Sequence, residues 1–247
     1  MDGKPCTNYA HTLFPGQSVC VLKTTASAKY DVGFPILYED NDLIVIDKPA
    51  GMLAVATDNE REETAYHTVT RYVKSKTASA RVFVVHRLDR ETSGIMLLAK
   101  NERIKRALQD NWDEVAIRRG YIAVVEGKVA GADGRIQSWL RQTRTLLVYS
   151  SSRKDDGKLA ITNYKTVRAA EAYSLLDISL ETGRKNQIRV HMKDMGHPVA
   201  GDKKYGAATD PLGRLGLHAS VLIVKHPFSG EILRLEARMP DVFEKAF

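Results

Sequence analysis

Asp89 sits in the run His86-Arg87-Leu88-Asp89-Arg90-Glu91-Thr92-Ser93-Gly94, where one acid is flanked by two arginines and followed by two hydroxyls and a glycine. A carboxylate held among cations is a group that can attack carbon or accept a proton. Residues 82–85 before it and 95–99 after it are apolar and read as buried strands, so the loop is a rigid place for a reactive group. The residues alone leave a second reading open, a surface salt-bridge loop. Another dense polar cluster, Thr182-Gly183-Arg184-Lys185-Asn186-Gln187-Ile188-Arg189-Val190-His191-Met192, carries Arg189. Its planar fork can hold a carboxylate by two hydrogen bonds, and we pair it with Asp89. The alternative is that Arg184, Lys185 and Arg189 form a patch for phosphates.

The pattern His-Arg-Leu-Asp-x-x-Thr-Ser-Gly followed by an apolar run resembles the signature of the RluA-type pseudouridine synthases, which act on ribosomal and transfer RNA. Four further segments are similar to that family. Lys48-Pro49-Ala50-Gly51 ends a strand as the family's first motif does, with the lysine and proline lining the cleft. Arg119-Gly120-Tyr121-Ile122-Ala123-Val124-Val125-Glu126-Gly127 matches its tyrosine segment, 32 residues after Asp89. Residues 182–192 match its later arginine motif but carry Lys185-Asn186 where the family has Thr/Ser-His, so the contacts of those two side chains are not carried over. Gly196-His197-Pro198-Val199-Ala200-Gly201-Asp202-Lys203-Lys204-Tyr205-Gly206 continues the likeness, with His197 and Asp202 read as turn residues.

The resemblance implies a reaction, the isomerisation of uridine to pseudouridine in structured RNA. It assigns catalysis to Asp89, with Arg189 as its ion-pair partner and Tyr121 stacking on the target base or helping to remove the C5 proton. Arg87 would fill the space of the flipped uridine or hold phosphates. Lys48, Arg90, Arg184 and Lys185 would contribute to a basic groove for the RNA backbone. Large-subunit ribosomal RNA is the first substrate expected and transfer RNA the second. A non-catalytic RNA-binding protein of the same fold is the rival reading, and intact Asp89, Tyr121 and Arg189 argue against it. Kinase chemistry fails on the extra leucine in His-Arg-Leu-Asp and on the lack of a Gly-rich loop or Asp-Phe-Gly. No cofactor is expected.

The elements that must position these groups follow from patterning. An Asp-Asn-Asp turn between residues 35–39 and 43–47 predicts a hairpin. Thr64 caps a helix through Val69, Tyr72 and Val73. Apolar spacing from Ile104 to Val115 predicts one helix over residues 100–118. Strands are expected at 122–125, 159–167 and 173–180, and a short helix through Ile188 and Met192 ends at Gly196. Strands outnumber helices, which argues for an α+β fold with a large mixed, mainly antiparallel sheet. The resemblance adds that this sheet is long and bisected, with flanking helices and a central catalytic cleft. Residues 1–34 read as an N-terminal arm and 35–247 as the catalytic domain.

The 247 residues carry 37 Lys and Arg against 30 Asp and Glu, a net charge of +7 that suits a polyanionic partner. Cys6 and Cys20, the only two cysteines, make neither a disulfide framework nor a four-ligand zinc set. His86, His191, His197 and His218 lack metal-ligand spacing, so no metal is expected. No apolar run approaches the length of a membrane span. The expectation is a cytoplasmic monomer that binds RNA and no membrane.

Overall fold

The structure, a computed structural model, describes residues 32–56 and 63–247. They belong to a compact unit spanning Asp31–Phe247, and the expected arm over residues 1–34 falls almost wholly outside them. Among the described residues no helix is long and apolar enough to cross a membrane.

The chain opens on the expected hairpin, β1 (Ile36–Glu39) and β2 (Leu43–Lys48). Asp40 makes the turn: its Oδ1 accepts from the backbone N–H groups of Asp42 and Leu43 at 2.7 and 2.6 Å. The first helix, α1 (Ala65–Lys76), starts where Thr64 accepts from the His67 N–H. Two short-range strands follow, β3 (Phe83–Val84) and β4 (Ser93–Ala99), with the Asp89 loop between them. The single helix expected over residues 100–118 is instead two, α2 (Glu102–Asp110) and α3 (Trp112–Val115), and Ala116 already begins β5 (Ala116–Glu126). Asn111 breaks the helix with φ −122° and ψ 25°. The apolar stripe Ile104, Leu108, Trp112, Val115 runs across the break because all four pack on one core, so its period does not register the change of backbone.

The second half holds β6 (Asp133–Gln142), β7 (Val148–Ser151), β8 (Lys158–Ala169), which extends the strand expected at 159–167, and β9 (Tyr173–Leu180), which has the expected bounds. Then come α4 (Gln187–Asp194), a 3-10 turn at Lys203–Tyr205, β10 (Leu217–Lys225), β11 (Ile232–Glu236) and a closing 3-10 segment.

Among the described residues all eleven strands form one sheet, in the order β1-β2-β4-β10-β5-β9-β8-β6-β7, with β3 on β4 and β11 on β10. Every pairing is antiparallel except that of β4 with β10. That parallel join holds only His218 to Ser93 and Ala219 to Gly94. Beyond it, β3 takes the free edge of β4 and β11 takes that of β10, so the sheet is bisected as the family resemblance implied. Gly94 is required at the join. Its φ is 110°, and a Cβ there would lie 2.2 Å from the Ala219 carbonyl oxygen.

Each half has its own core. In the first half the sheet is buried on both faces: Leu43 and Val45 pack with Leu97 and α2, while Ile44 and Ile46 pack with Met96, Leu98 and α1. In the second half α4 lays Ile188 and Met192 against β5 and β9. Tyr121 of β5 touches the cores of both halves, which places it where they meet.

Candidate active site

The Asp89 loop is tied down from below. Lys48, the last residue of β2, is fully buried, and its ammonium donates to the carbonyls of Pro49 and Met52 at 2.8 Å and of Arg90 at 3.1 Å. Burial pushes this ammonium down to about 8, with Glu91, Asp89 and Asp47 offsetting part of the effect. The Gly51 N–H donates to Arg90 O at 3.0 Å, and Arg90 Nε returns a bond to Gly51 O at 2.9 Å. The loop that carries Asp89 is thus laced to the turn after β2. This corrects the expectation for Lys48. It lies beneath the loop, not in the basic groove, and its donors are already spent on carbonyls.

His86 is also structural. Its Nε2 accepts from the Leu97 N–H at 3.1 Å, and its ring stacks on Trp112 at 5.1 Å between centroids. Burial, helped by the Arg119 charge, lowers it to about 4, so it is neutral.

Arg189 comes from the middle of α4. That helix is pinned to the sheet by Gln187, whose Nε2 donates to Ile161 O and Thr162 Oγ1 at 2.9 Å, and by His191, which bonds Thr162 and Ser138. Gln187 Oε1 also accepts from the Arg184 N–H and the Thr182 hydroxyl, which fixes the loop before the helix. Arg189 then points from the opposite side of α4 toward Asp89, 100 residues away in the chain.

The guanidinium divides unequally. Nε and Nη2 make the two-pronged bond to Asp202, both at 2.7 Å, while Nη1 reaches Asp89 Oδ2 at 3.3 Å. The fork expected for Asp89 is therefore taken by Asp202, whose side chain is 1% exposed, and Asp89, 28% exposed, receives the third nitrogen. Burial works against the Arg189 cation, but Asp202 and Asp89 outweigh it and hold its pKa above the usual value. The same guanidinium lies over the ring of Tyr205, its carbon 5.0 Å from the ring centroid.

Asn186 is the second group on Asp89. It caps α4 in the left-handed conformation, with φ 54° and ψ 19°. Its amide lies between Asp89 and the Tyr205 hydroxyl. With its nitrogen toward the acid it donates to Oδ2 at 2.8 Å and Oδ1 at 3.1 Å and accepts from Tyr205 at 2.8 Å. The opposite orientation would set a carbonyl oxygen against a carboxylate, so the first is the one that satisfies every atom.

These groups line one cleft of about 540 Å³. Asp89, Tyr121 and Arg189 meet there, as do Arg87, Arg90, Arg184 and Lys185 at the rim. Arg87 and Lys185 are exposed, while Arg184 is anchored by Nε to Leu159 O at 2.9 Å. Burial raises the Tyr121 hydroxyl to about 12, and the nearby Asp89 charge adds to it against Arg119. Sequence reasoning missed three members: Asn186, Asp202 and Tyr205. Asp202 and Tyr205 lay within a segment read as turns, and Asn186 stood where the motif departs from the family's residue.

Compared with known proteins, residues 42–194 match the model of a family described as RNA pseudouridylate synthase. The chain is 34% identical over 209 residues to a Bacillus subtilis (strain 168) protein named uncharacterized RNA pseudouridine synthase YhcT, covering 83% of this chain and 68% of that one. It is 35% identical over 255 residues to ribosomal large subunit pseudouridine synthase D of Xanthomonas campestris pv. campestris, covering 95% of this chain and 76% of that one. Among solved structures, human RNA Pseudouridylate Synthase Domain Containing 4 superposes with a TM-score of 0.70 at 23% identity, over 85% of this chain and 90% of that one, a likeness of fold.

Proposed function

The chain belongs to the RNA pseudouridylate synthase family, and on that premise we propose that it isomerises uridine to pseudouridine in large-subunit ribosomal RNA with Asp89 as the catalytic carboxylate. The observation that carries the residue assignment is the state of Asp89: part-exposed in the cleft, on a laced loop, with Arg189 and Asn186 on one of its sides. The relative named for the ribosomal large subunit supports the choice of RNA.

The reaction breaks the bond from N1 to C1′, turns the base and joins C5 to C1′; the C5 proton leaves and N1 takes up a proton, so the product is an isomer of the substrate. Nothing is oxidised or reduced. A preorganised carboxylate suits this chemistry because no side-chain reorganisation is needed as the glycosidic bond weakens. The target uridine must leave its stack to reach the cleft, at a cost of a few kcal/mol. Exposed Arg87 sits on the loop beside Asp89, where it can occupy the vacated space. Tyr121 presents its ring in the same cleft. With its hydroxyl at about 12 it is protonated at neutral pH, which suits stacking on the base and makes it a weak base for the C5 proton. Arg184 and Lys185 at the rim supply cations for the backbone. On this reading the protein acts on RNA in the cytoplasm.

The test is tritium release. Large-subunit ribosomal RNA transcripts carrying tritium at uridine C5 are incubated with the purified full chain. Release with wild type and none with Asp89→Asn is the expected result. Equal release with Asp89→Asn would remove this residue from the chemistry, and release from transfer RNA but not ribosomal RNA would overturn the substrate.

A further inference from the structure

We propose that Asn186 is a positioning residue for Asp89: its amide nitrogen holds one edge of the carboxylate so that the other stays open to the substrate. The inference rests on Asp89 being the catalytic group. Oδ2 takes the stronger Asn186 contact at 2.8 Å as well as Arg189 Nη1 at 3.3 Å. Among the described residues Oδ1 receives only the longer Asn186 contact at 3.1 Å. Oδ2 is thus saturated by two donors, and Oδ1 retains lone-pair capacity for a reacting atom. An arginine contact at 3.3 Å from a guanidinium already committed to Asp202 is too weak alone to fix the carboxylate's rotation.

The amide is held in turn. Its oxygen accepts from the Tyr205 hydroxyl, and the Tyr205 hydroxyl oxygen accepts in turn from the Val148 N–H at 3.3 Å. Tyr205 is pinned by the Arg189 guanidinium on its face and by Asp202, which accepts from its backbone N–H at 3.3 Å. A relay therefore runs from the β7 backbone through Tyr205 and Asn186 to Asp89. Asn186 itself is 8% exposed. Its backbone is left-handed, a conformation asparagine adopts more readily than most residues.

That backbone also dictates the probes. Asn186→Gly removes the amide without strain, since glycine accepts positive φ. Asn186→Asp keeps shape and backbone preference but replaces the donor by a second acid. Two carboxylates about 3 Å apart do not both ionise readily, so at lower pH they share a proton, and the protonated acid donates as the amide did. At higher pH both ionise, the donor is lost and the pair repels. The other charged or titratable groups around the pair are Arg189, Asp202, Tyr121, Tyr205 and Lys48, with Arg87, Arg90, Arg184 and Lys185 at the rim. Because Lys48 titrates near the working range, each variant is read as a ratio to wild type at the same pH.

The experiment measures tritium release by the full chain on ribosomal RNA transcripts, with kcat and KM separated, from pH 6 to 9. Asn186→Gly is expected to lose on the order of 10- to 100-fold in kcat with KM within about twofold. The ratio of Asn186→Asp to wild type should fall as pH rises. Tyr205→Phe, which removes the hydroxyl that orients the amide, should lose less in kcat than Asn186→Gly. If Asn186→Gly does not fold, Asn186→Asp and Tyr205→Phe carry the test. A wild-type kcat for Asn186→Gly, or a pH-independent ratio for Asn186→Asp, overturns the proposal. Asp89→Asn run alongside separates the two levels: if it stays active the assignment of Asp89 has failed, whereas an inactive Asp89→Asn beside an unimpaired Asn186→Gly sinks only the role of Asn186.

Discussion

Replacing Arg189 by methionine removes a cation of similar volume from between two acids of unequal burial. Asp202 is 1% exposed and loses two bonds of 2.7 Å, keeping one from the Tyr205 N–H at 3.3 Å. Breaking a buried pair from one side costs about 3–5 kcal/mol, because the remaining charge is uncompensated. Asp89 is 28% exposed, loses one contact of 3.3 Å and keeps the Asn186 amide, so its share is under about 1 kcal/mol. For a domain of this size the total corresponds to a fall in Tm of about 6–24 °C. The assay is denaturant unfolding of four proteins: wild type, Arg189→Met, and Arg189→Met combined with either Asp202→Asn or Asp89→Asn. Removing the charge of Asp202 should recover most of the lost stability, and removing that of Asp89 little. If instead the Asp89 double variant recovers and the Asp202 one does not, the division of the guanidinium described above is wrong.

Three further outcomes follow from the same geometry. Gly94→Ala forces a Cβ into the Ala219 backbone at 2.2 Å with φ at 110°, so it should cost at least about 3 kcal/mol or prevent folding, as read by circular dichroism and urea titration; near-native stability would mean the join between β4 and β10 is looser than described. Loss of Lys185 should reduce the slope of log binding constant against log salt by about 1, whereas Lys48→Met, with its ammonium buried on three carbonyls, should leave that slope unchanged while destabilising the loop; an altered slope for Lys48→Met would return it to the groove. His191 and His218 are buried and depressed to about 4, so the unfolded chain binds more protons than the folded one between about pH 4 and 6.5. The contribution of these two histidines is then fully present above about 6.5 and falls on acidification by roughly 2–3 kcal/mol per pH unit near pH 5; a flat unfolding midpoint from pH 6.5 to 5 would contradict their neutral burial.

The residues proposed to react were legible in the sequence because their motifs are contiguous. Asp89, Tyr121 and Arg189 stand far apart along the chain, yet each lies in a local pattern dense enough to mark it, and the structure brings all three to one cleft. The strands around them carry long apolar runs, so the sheet was readable, and the resemblance supplied its bisection. What was not legible depends on contacts between segments. Nothing local distinguishes a solvated lysine from Lys48, whose three acceptors come from the turn after β2 and the Asp89 loop. Asp202 was read as a turn residue, and it is one, capping the 3-10 turn at Lys203–Tyr205. It also outcompetes Asp89 for the Arg189 fork, since it is only 13 residues away and better buried. The break at Asn111 escaped because apolar spacing reports which face is buried, and that face continues from α2 into α3.

The claim at the centre of this account is that Asp89 converts uridine to pseudouridine in large-subunit ribosomal RNA. It is tested most directly by mapping pseudouridine, through carbodiimide-dependent reverse-transcription stops, in ribosomal and transfer RNA from cells lacking this gene and from the same cells given wild-type or Asp89→Asn protein. The account predicts that one or a few stops in large-subunit RNA vanish with the gene and return with wild type alone. Restoration by Asp89→Asn, or a loss confined to transfer RNA, would contradict it.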